Sequence, residues 1–325
     1  MTRRAVRRIA GAALIACFVA LAIAAHVLLR DPEARFAERR SHIVRVEEGA
    51  IERAGAHLVK NVRLTAASGL VVDLTIKAPD ETVPPGTRRP LVLLLGGHRT
   101  GRDAVDLISH TRGTVIAAIS YPFAGNPNVK GLAVLPEIPA IRRALLDTPP
   151  ALLLALDHLL TRPDVDSTAV EMVGVSLGAP FGCIAGALDT RFSRVWAVHG
   201  AGDPRALLDH NLQRRIPFAP ARAFVATVAH LLIDGPHLAP ERWVGRIAPR
   251  PFVMINAEED ERLPRATVER LYAHALAPKD ITWMPGQHVL PRRAELVQRL
   301  VDMVLARVPG AAAVPDEPPL AVQTP

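Results

Sequence analysis

The sequence has few aromatic residues and no internal repeat. Phe, Trp and Tyr make up 4% of its 325 residues, and no basic run is interleaved with them. A surface that binds single-stranded nucleic acid combines a basic groove with aromatic side chains on which the bases stack. The sequence therefore argues against nucleic-acid binding, although the formal net charge is +7. The arginines behind this charge are spread along the chain.

Cysteine is also scarce, with two residues in the chain. Cys17 lies in an N-terminal apolar run and Cys183 follows a glycine-rich stretch. An internal disulfide between segments of such different kinds is not expected, and no spacing of Cys and His matches a zinc site. We predict neither a metal nor a cofactor.

The N-terminus carries four arginines before an apolar stretch that runs from Ile9 to Leu29 and is broken only by His26. About 20 apolar residues suffice to cross a membrane as a helix. A basic start before an apolar segment is also typical of a secretory signal peptide, for which Ala22-Ile23-Ala24 is a candidate cleavage site. Residues 1–30 are therefore predicted to be a signal anchor or a cleaved signal peptide, and a lipoprotein signal at Cys17 is a third reading. Each places the remaining chain outside the cytoplasm, in the bacterial periplasm or cell envelope.

Apolar runs that end in glycine or proline alternate with helical patterns over most of the chain. Leu91 to Leu95, Val170 to Val175 and Phe252 to Asn256 read as buried strands. Such alternation predicts an α/β fold with a mostly parallel, doubly wound sheet of about eight strands. Two alternating segments around Ala67-Ser68-Gly69 predict a leading antiparallel hairpin.

The domain boundaries follow from breaks in this pattern. Residues 55–307 form the predicted catalytic domain, and residues 31–54 read as a stalk or linker, or as a short first element. Residues 203–250 interrupt the alternation with two amphipathic stretches and several prolines, which predicts a helical, lid-like insertion. The tail, residues 308–325, is rich in Pro and Ala and is expected to be disordered.

One short motif carries the chemistry. Gly174-Val175-Ser176-Leu177-Gly178 is a G-x-S-x-G string placed directly after an apolar run. A serine nucleophile on a sharp strand-to-helix turn needs small neighbours, because strand and helix approach closely there. Alone, the pentapeptide is weak evidence, and the residues around it decide its meaning.

The stretches that follow the motif resemble the α/β-hydrolase family, in which Ser, then Asp or Glu, then His occur in chain order. The stretch "PRPFVMINAEEDERLP" (249–264) is similar to the family's strand-plus-acid segment, with Asp260 at the acid position. The stretch "ITWMPGQHVLP" (281–291) is similar to the segment that carries the catalytic histidine, here His288. The stretch "RWVGRIAPRPFVMINAEED" (242–260) resembles the dienelactone-hydrolase-like and acetyl-esterase-like branch more than the lipase branch.

The resemblance implies a role for each residue. Ser176 is the expected nucleophile, His288 its general base and Asp260 the residue that orients the base. Glu258 or Glu259 could replace Asp260, and His199 or His98 could replace His288. The main-chain amides of Leu177 and His98 are the expected oxyanion hole. Gly97, Tyr121 and His199 are candidate substrate-binding residues, although Tyr121 could also be plain packing.

The sequence thus predicts a serine hydrolase that cleaves a carboxylic ester of a small molecule through an acyl-enzyme intermediate. A peptidase or acyltransferase could use the same three residues, because a fold does not fix a chemistry. A non-catalytic surface protein with a hydrolase-like shell is the alternative from another class. Apart from the substrate, the one expected partner is the membrane, through the N-terminal helix.

Overall fold

The computed structural model describes residues 18, 31–81, 86–97, 100–129 and 131–312. The predicted signal segment, except for Phe18, lies outside the described residues, as do His98 and residues 313–325 of the predicted tail. Within the described ranges, no helix combines the length and apolar character needed to span a membrane.

The described part of the chain contains one sheet of nine strands, one more than the sequence predicted. The first three strands are antiparallel to one another, β3 pairs antiparallel with β5, and the six strands β4 to β9 are mutually parallel. The order across the sheet is β1-β2-β3-β5-β4-β6-β7-β8-β9. The strands are β1 (Ile43–Ala54), β2 (His57–Ala66), β3 (Val71–Pro79), β4 (Arg89–Leu95), β5 (Val115–Ile119), β6 (Val165–Val175), β7 (Arg194–Val198), β8 (Phe252–Ala257) and β9 (Lys279–Met284). Both the mostly parallel sheet and the leading hairpin are confirmed.

Helices cover both faces of the sheet and leave a core on each. On one face, Leu91, Leu93 and Leu95 of β4 belong to a core that includes residues of α2 and α3. On the other face, Val92 and Leu94 belong to a smaller core that includes residues of α8. A strand buried on both faces is apolar at nearly every position, as β4 is from Pro90 to Leu95. The helices are α1 (Pro32–Arg40), α2 (Ile138–Leu159), α3 (Gly178–Leu188), α4 (Pro204–Leu212), α5 (Ala219–Leu232), α6 (Gly235–Leu238), α7 (Arg265–His274) and α8 (Ala294–Leu305).

Residues 31–54 differ from the predicted stalk or linker. They form α1 and the edge strand β1, and α1 lies on the helical layer of the domain. The buried ring of Phe36 lies 5.9 Å from the ring of Trp243, and Arg39 donates two hydrogen bonds of 2.9 and 2.6 Å to the Asp147 carboxylate. These contacts fix the segment to the body of the domain.

Residues 203–250 form an insertion between β7 and β8, and it is helical, as the sequence predicted. It contains α4, α5 and α6 together with two short 3-10 turns. The side chains of His210 and Asn211 in α4 lie 3.2 Å from the carbonyl oxygens of Glu261 and Arg262 respectively. The insertion therefore contacts the loop that follows β8.

Candidate active site

Ser176 occupies a strained turn between β6 and α3. Its φ is 54°, in the left-handed region that non-glycine residues seldom adopt. A Cβ atom on Gly174 would lie 2.5 Å from the Gly178 carbonyl oxygen, and one on Gly178 would lie 2.2 Å from the Leu95 carbonyl oxygen. Both positions therefore require glycine, because any side chain would meet backbone. The turn presents Ser176 at the carboxyl end of the parallel strands.

The loops after β8 and β9 bring two further side chains to Ser176. The Ser176 Oγ lies 2.7 Å from His288 Nε2, and His288 Nδ1 lies 2.8 Å from Asp260 Oδ2. The structure thus joins the three predicted residues in one hydrogen-bonded chain. His288 is 1% exposed, so its ring is shielded from competing water.

A second histidine contacts the same carboxylate oxygen. His199 Nδ1 lies 3.1 Å from Asp260 Oδ2, and the two imidazole rings meet edge to face with centroids 5.3 Å apart. Two groups face His199 Nδ1, the Asp260 carboxylate at 3.1 Å and the Val289 N–H at 3.3 Å. We assign the ring proton to Nδ1, because an unprotonated nitrogen would face the nearer, negative carboxylate. The buried Nε2 of His199 then has no hydrogen-bond partner among the described residues.

Four donors in all converge on Asp260. Besides the two imidazoles, the main-chain N–H groups of Arg262 and Leu263 donate to Asp260 Oδ1 over 2.9 and 3.0 Å. Burial alone would raise the pKa of Asp260, but the hydrogen bonds from His199 and His288 outweigh it and hold that pKa well below its usual range. Burial lowers the pKa of His199 by more than the Asp260 carboxylate raises it. The site thus holds an anionic carboxylate beside a neutral second imidazole.

Two glutamates hold the loop that carries His288, a role the sequence did not reveal. Glu259 accepts a hydrogen bond of 2.6 Å from the Gly286 N–H, and Glu261 accepts one of 2.9 Å from the His288 N–H. Burial of Glu261 would raise its pKa, but the main-chain hydrogen bonds from His288 and Glu261, together with the charge of Arg293, outweigh this and the pKa is lowered. The alternative acid Glu259 is therefore engaged with the main chain, whereas Asp260 faces the His288 ring.

The predicted oxyanion hole is described in part. Leu177, directly after Ser176, begins the turn into α3, and its N–H donates to no acceptor in the described part of the chain. Gly97 faces Ser176, since a Cβ at Gly97 would lie 3.3 Å from Ser176 Cβ. His98, whose amide is the predicted second donor, falls in the gap at residues 98–99. The Leu177 amide is thus placed beside the Ser176 hydroxyl and unused by the fold.

The other predicted binding residues differ in position. Gly97 lines the cavity at Ser176, but neither Tyr121 nor His199 does. Tyr121 donates its hydroxyl to the Gly96 carbonyl oxygen over 2.8 Å and packs edge to face on Phe181 at 6.0 Å. Burial raises the pKa of Tyr121, so the phenol stays protonated as this bond requires. Tyr121 therefore packs against the loop that follows β4, and His199 contacts Asp260 instead of the cavity.

The cavity at Ser176 has a volume of about 490 Å³. Ser176, His288, Thr100 and Arg262 contribute its polar lining, and the remaining side chains that line it are apolar. Its size lies within the range of roughly 300–1,000 Å³ that small-molecule sites occupy. The cavity continues from Ser176 between the sheet and α8.

One cluster among the described residues offers metal-ligand atoms close together. Ligand atoms of His199, Asp260 and His288 all lie within 4.8 Å of one another. Hydrogen bonds already join both Nδ1 atoms to the Asp260 oxygen, and a metal there would have to displace the two ring protons. The donor set is therefore better suited to these hydrogen bonds than to a metal ion.

No protein-family model matches the chain, and no curated protein matches it either. Several solved structures do share its fold. An acetyl xylan esterase from Thermoanaerobacterium sp. is 16% identical, with a TM-score of 0.59 over 84% of this chain and 93% of that chain. An acetyl xylan esterase from Paenibacillus sp. is 18% identical, with a TM-score of 0.59 over 86% of this chain and 94% of the other. A cold-adapted esterase from an Arctic intertidal metagenomic library is 18% identical, with a TM-score of 0.54 over 78% and 97% of the two chains.

These similarities establish the fold. The chain has the α/β-hydrolase fold, as the sequence predicted, with Ser176 on the turn after the central strand β6.

Proposed function

We propose that the protein is a serine hydrolase that cleaves carboxylic esters through an acyl-enzyme intermediate. The observation that carries this proposal is the hydrogen-bonded chain from Ser176 Oγ through His288 to Asp260, with distances of 2.7 and 2.8 Å. The esterase names of the structures that share the fold support the same reaction class.

In the first half of the reaction the Ser176 oxygen attacks the ester carbonyl carbon. Its proton passes to His288 Nε2, since a neutral hydroxyl is a weak nucleophile without a base. The new oxygen–carbon bond forms as the carbonyl electron pair moves onto the carbonyl oxygen. Asp260 holds the His288 ring by Nδ1 and stabilises its positive form.

The anionic oxygen of this intermediate needs donors that are already aimed at it. The Leu177 amide supplies one, and an amide of the loop after β4, at Gly97 or His98, supplies the second. Collapse of the intermediate expels the alcohol, which takes its proton from His288. Water then repeats the sequence on the acyl-enzyme, giving up a proton to His288 and releasing the acid from Ser176.

The helical insertion is proposed to act as a lid over this site. Its support is the contact of α4 with the loop carrying Asp260, through His210 and Asn211. A segment attached there could exclude water from the acyl-enzyme and restrict the alcohol part of the substrate.

Export or membrane anchoring of the domain is proposed from the sequence of residues 1–30, with its basic start and long apolar run. N-terminal sequencing of the protein from membrane and soluble fractions tests this. Intact residue 1 in the membrane fraction supports an anchor, a start after Ala24 supports a cleaved signal, and an intact N-terminus in the cytosol contradicts export.

The test of the proposed reaction is hydrolysis of p-nitrophenyl esters by the wild type and by Ser176→Ala. We expect Ser176→Ala to lose at least about 10⁴-fold in kcat, because the nucleophile acts as one unit with its base. Ser167→Ala is the matched control, since Ser167 is an exposed residue of the same strand β6. A p-nitroanilide of the same acid separates esterase from peptidase activity.

Two results would contradict the proposal. One is a folded wild type that hydrolyses no ester of any acyl length from acetate to palmitate. The other is a Ser176→Ala variant whose activity equals that of the wild type.

A further inference from the structure

The cavity at Ser176 continues as an apolar space beneath the sheet. One wall is formed by side chains of the central strands β4, β5 and β6, and the opposite wall by α8. The face is thinly covered here, because the segment after the β4 loop forms only a short 3-10 turn, Gly101–Leu107. Protein interiors pack at close to crystal density, so an open space of about 490 Å³ is unusual in a domain of this size.

The polar groups of this cavity all gather at the Ser176 end. Thr100 donates its hydroxyl to the Gly97 carbonyl oxygen over 2.8 Å. Arg262 lies two residues after Asp260, and His288 contacts Ser176 directly. Towards the other end the lining is entirely apolar, with Val92, Leu94, Ile116, Val301, Val304 and Leu305. A ligand that fits has one polar end and a long apolar body.

Strand register gives the length of the apolar part. Leu94 pairs with Val173, and Val92 pairs with Glu171. Glu171 precedes Ser176 by five positions, which corresponds to about 16 Å at ~3.3 Å per strand residue. A carbon–carbon bond of ~1.5 Å advances an extended chain by roughly 1.3 Å, so this length holds about a dozen carbons. An acetyl group would fill only the Ser176 end.

We propose that this space is an acyl tunnel, and that the substrate is an ester of a medium- to long-chain aliphatic acid. The inference rests on the proposed function, because it takes Ser176 as the residue that receives the acyl group. The carbonyl carbon lies at Ser176, the alkyl chain runs down between β4, β6 and α8, and the alcohol leaves through the open end near Arg262. The described side chains that line the distal part are apolar, and the buried Glu171 carboxylate beside Val92 accepts from Trp196, so a second carboxylate on the acid would be buried there without a donor.

The test is the acyl-chain profile of kcat/KM for p-nitrophenyl acetate, butyrate, octanoate, dodecanoate and palmitate. We expect the wild type to prefer octanoate or dodecanoate over acetate by at least tenfold. Val301→Phe places a larger, aromatic side chain in the distal part of the tunnel. It is expected to lower the ratio of kcat/KM for dodecanoate to kcat/KM for acetate at least tenfold. Leu296→Phe is the matched control: Leu296 lies on the same helix and packs on the same core, but does not line the cavity. It is expected to keep the wild-type ratio.

A binding measurement separates failure of the tunnel from failure of the catalytic proposal. Calorimetry with Ser176→Ala is expected to show dodecanoic acid binding at least tenfold more tightly than butanoic acid, and this preference requires no turnover. If the wild type hydrolyses no ester but Ser176→Ala still prefers dodecanoic acid, the result supports the tunnel and contradicts the proposed reaction. A wild type whose highest kcat/KM is for acetate, equal binding of the two acids, or an unchanged ratio in a folded Val301→Phe variant would overturn the tunnel.

Discussion

Asp260 accepts more hydrogen bonds than the one from His288. Two imidazoles and two main-chain amides donate to it, so its carboxylate cannot rotate without losing bonds. His199 does not touch the cavity. We expect it to influence the proposed reaction as a positioning residue, through the carboxylate that contacts His288.

Replacing His199 by Phe should therefore slow catalysis without weakening substrate binding. We expect kcat to fall about tenfold with KM unchanged, because a carboxylate displaced by a fraction of an ångström holds the His288 ring less well. Steady-state kinetics measure both constants.

His274→Phe is the matched control for this variant, because His274 is an exposed histidine of α7. A His199→Phe enzyme with wild-type kcat would show that the second imidazole is only a packing residue.

The sequence shows which residues can react, but not all of their partners. Ser176, Asp260 and His288 follow three strands whose carboxyl ends share one edge of a parallel sheet, so their proximity could be predicted. The contact of His199 with Asp260 depends on how β7 and β8 lie side by side. No local pattern around His199 indicates it, and the catalytic roles of all four residues stay predictions.

At the scale of elements, the approach of α3 to β4 fixes the position of Ser176. Gly178 begins α3 directly against the Leu95 carbonyl oxygen, at the end of β4. Any side chain at Gly178 would push the helix away from the strand. Because Ser176 lies on the turn between them, that movement would also separate its hydroxyl from His288.

Gly178→Ala is expected to cost about 3 kcal/mol of unfolding free energy, since a methyl group placed against rigid backbone overpacks the core. Gly182→Ala, four residues later in the same helix, should change stability by less than about 1 kcal/mol, because its Cβ would meet its nearest neighbour at 3.4 Å. Urea denaturation of the two variants provides the comparison. Equal stabilities would contradict the assigned role of the close contact.

Helix boundaries were harder to predict than strands. The pair Pro149-Pro150 favours a break between two helices, at 137–147 and 150–161, but α2 runs unbroken from Ile138 to Leu159. Proline removes backbone hydrogen bonds at its position. The α2 residues around the two prolines are nevertheless buried in the core, and their packing outweighs the local preference. The pattern of residues 31–54 left a stalk, a linker or a short first element open, because the pairing of β1 with β2 is a tertiary contact.

At the scale of the whole molecule, histidines that are buried or half-buried couple folding to pH. Burial is the main cause of a lowered pKa at four of them, namely His57, His158, His199 and His230. Their unfolded pKa is about 6.5. The unfolded chain therefore binds more protons than the folded one below that value, and stability present above pH ~6.5 is lost as the pH falls. Glu171 acts in the opposite sense, since burial raises its pKa.

We expect the midpoint temperature of thermal unfolding to decrease as the pH is lowered from 7.5 to 5. His158→Gln should flatten this dependence, because it removes one of the four groups without touching the site. Calorimetry across this pH range measures the slope for both proteins. A midpoint that stays constant or rises on acidification would contradict the coupling.

The central claim for the molecule is that its fold makes Ser176 a nucleophile. The most direct measurement is covalent labelling of the folded protein by a fluorophosphonate, followed by intact mass and peptide mapping. We predict one adduct per chain in the wild type, located on Ser176. The adduct should be absent from Ser176→Ala and should form much more slowly in His288→Ala. A wild type that takes up no adduct while folded, or a Ser176→Ala variant that labels as fast as the wild type, would contradict it.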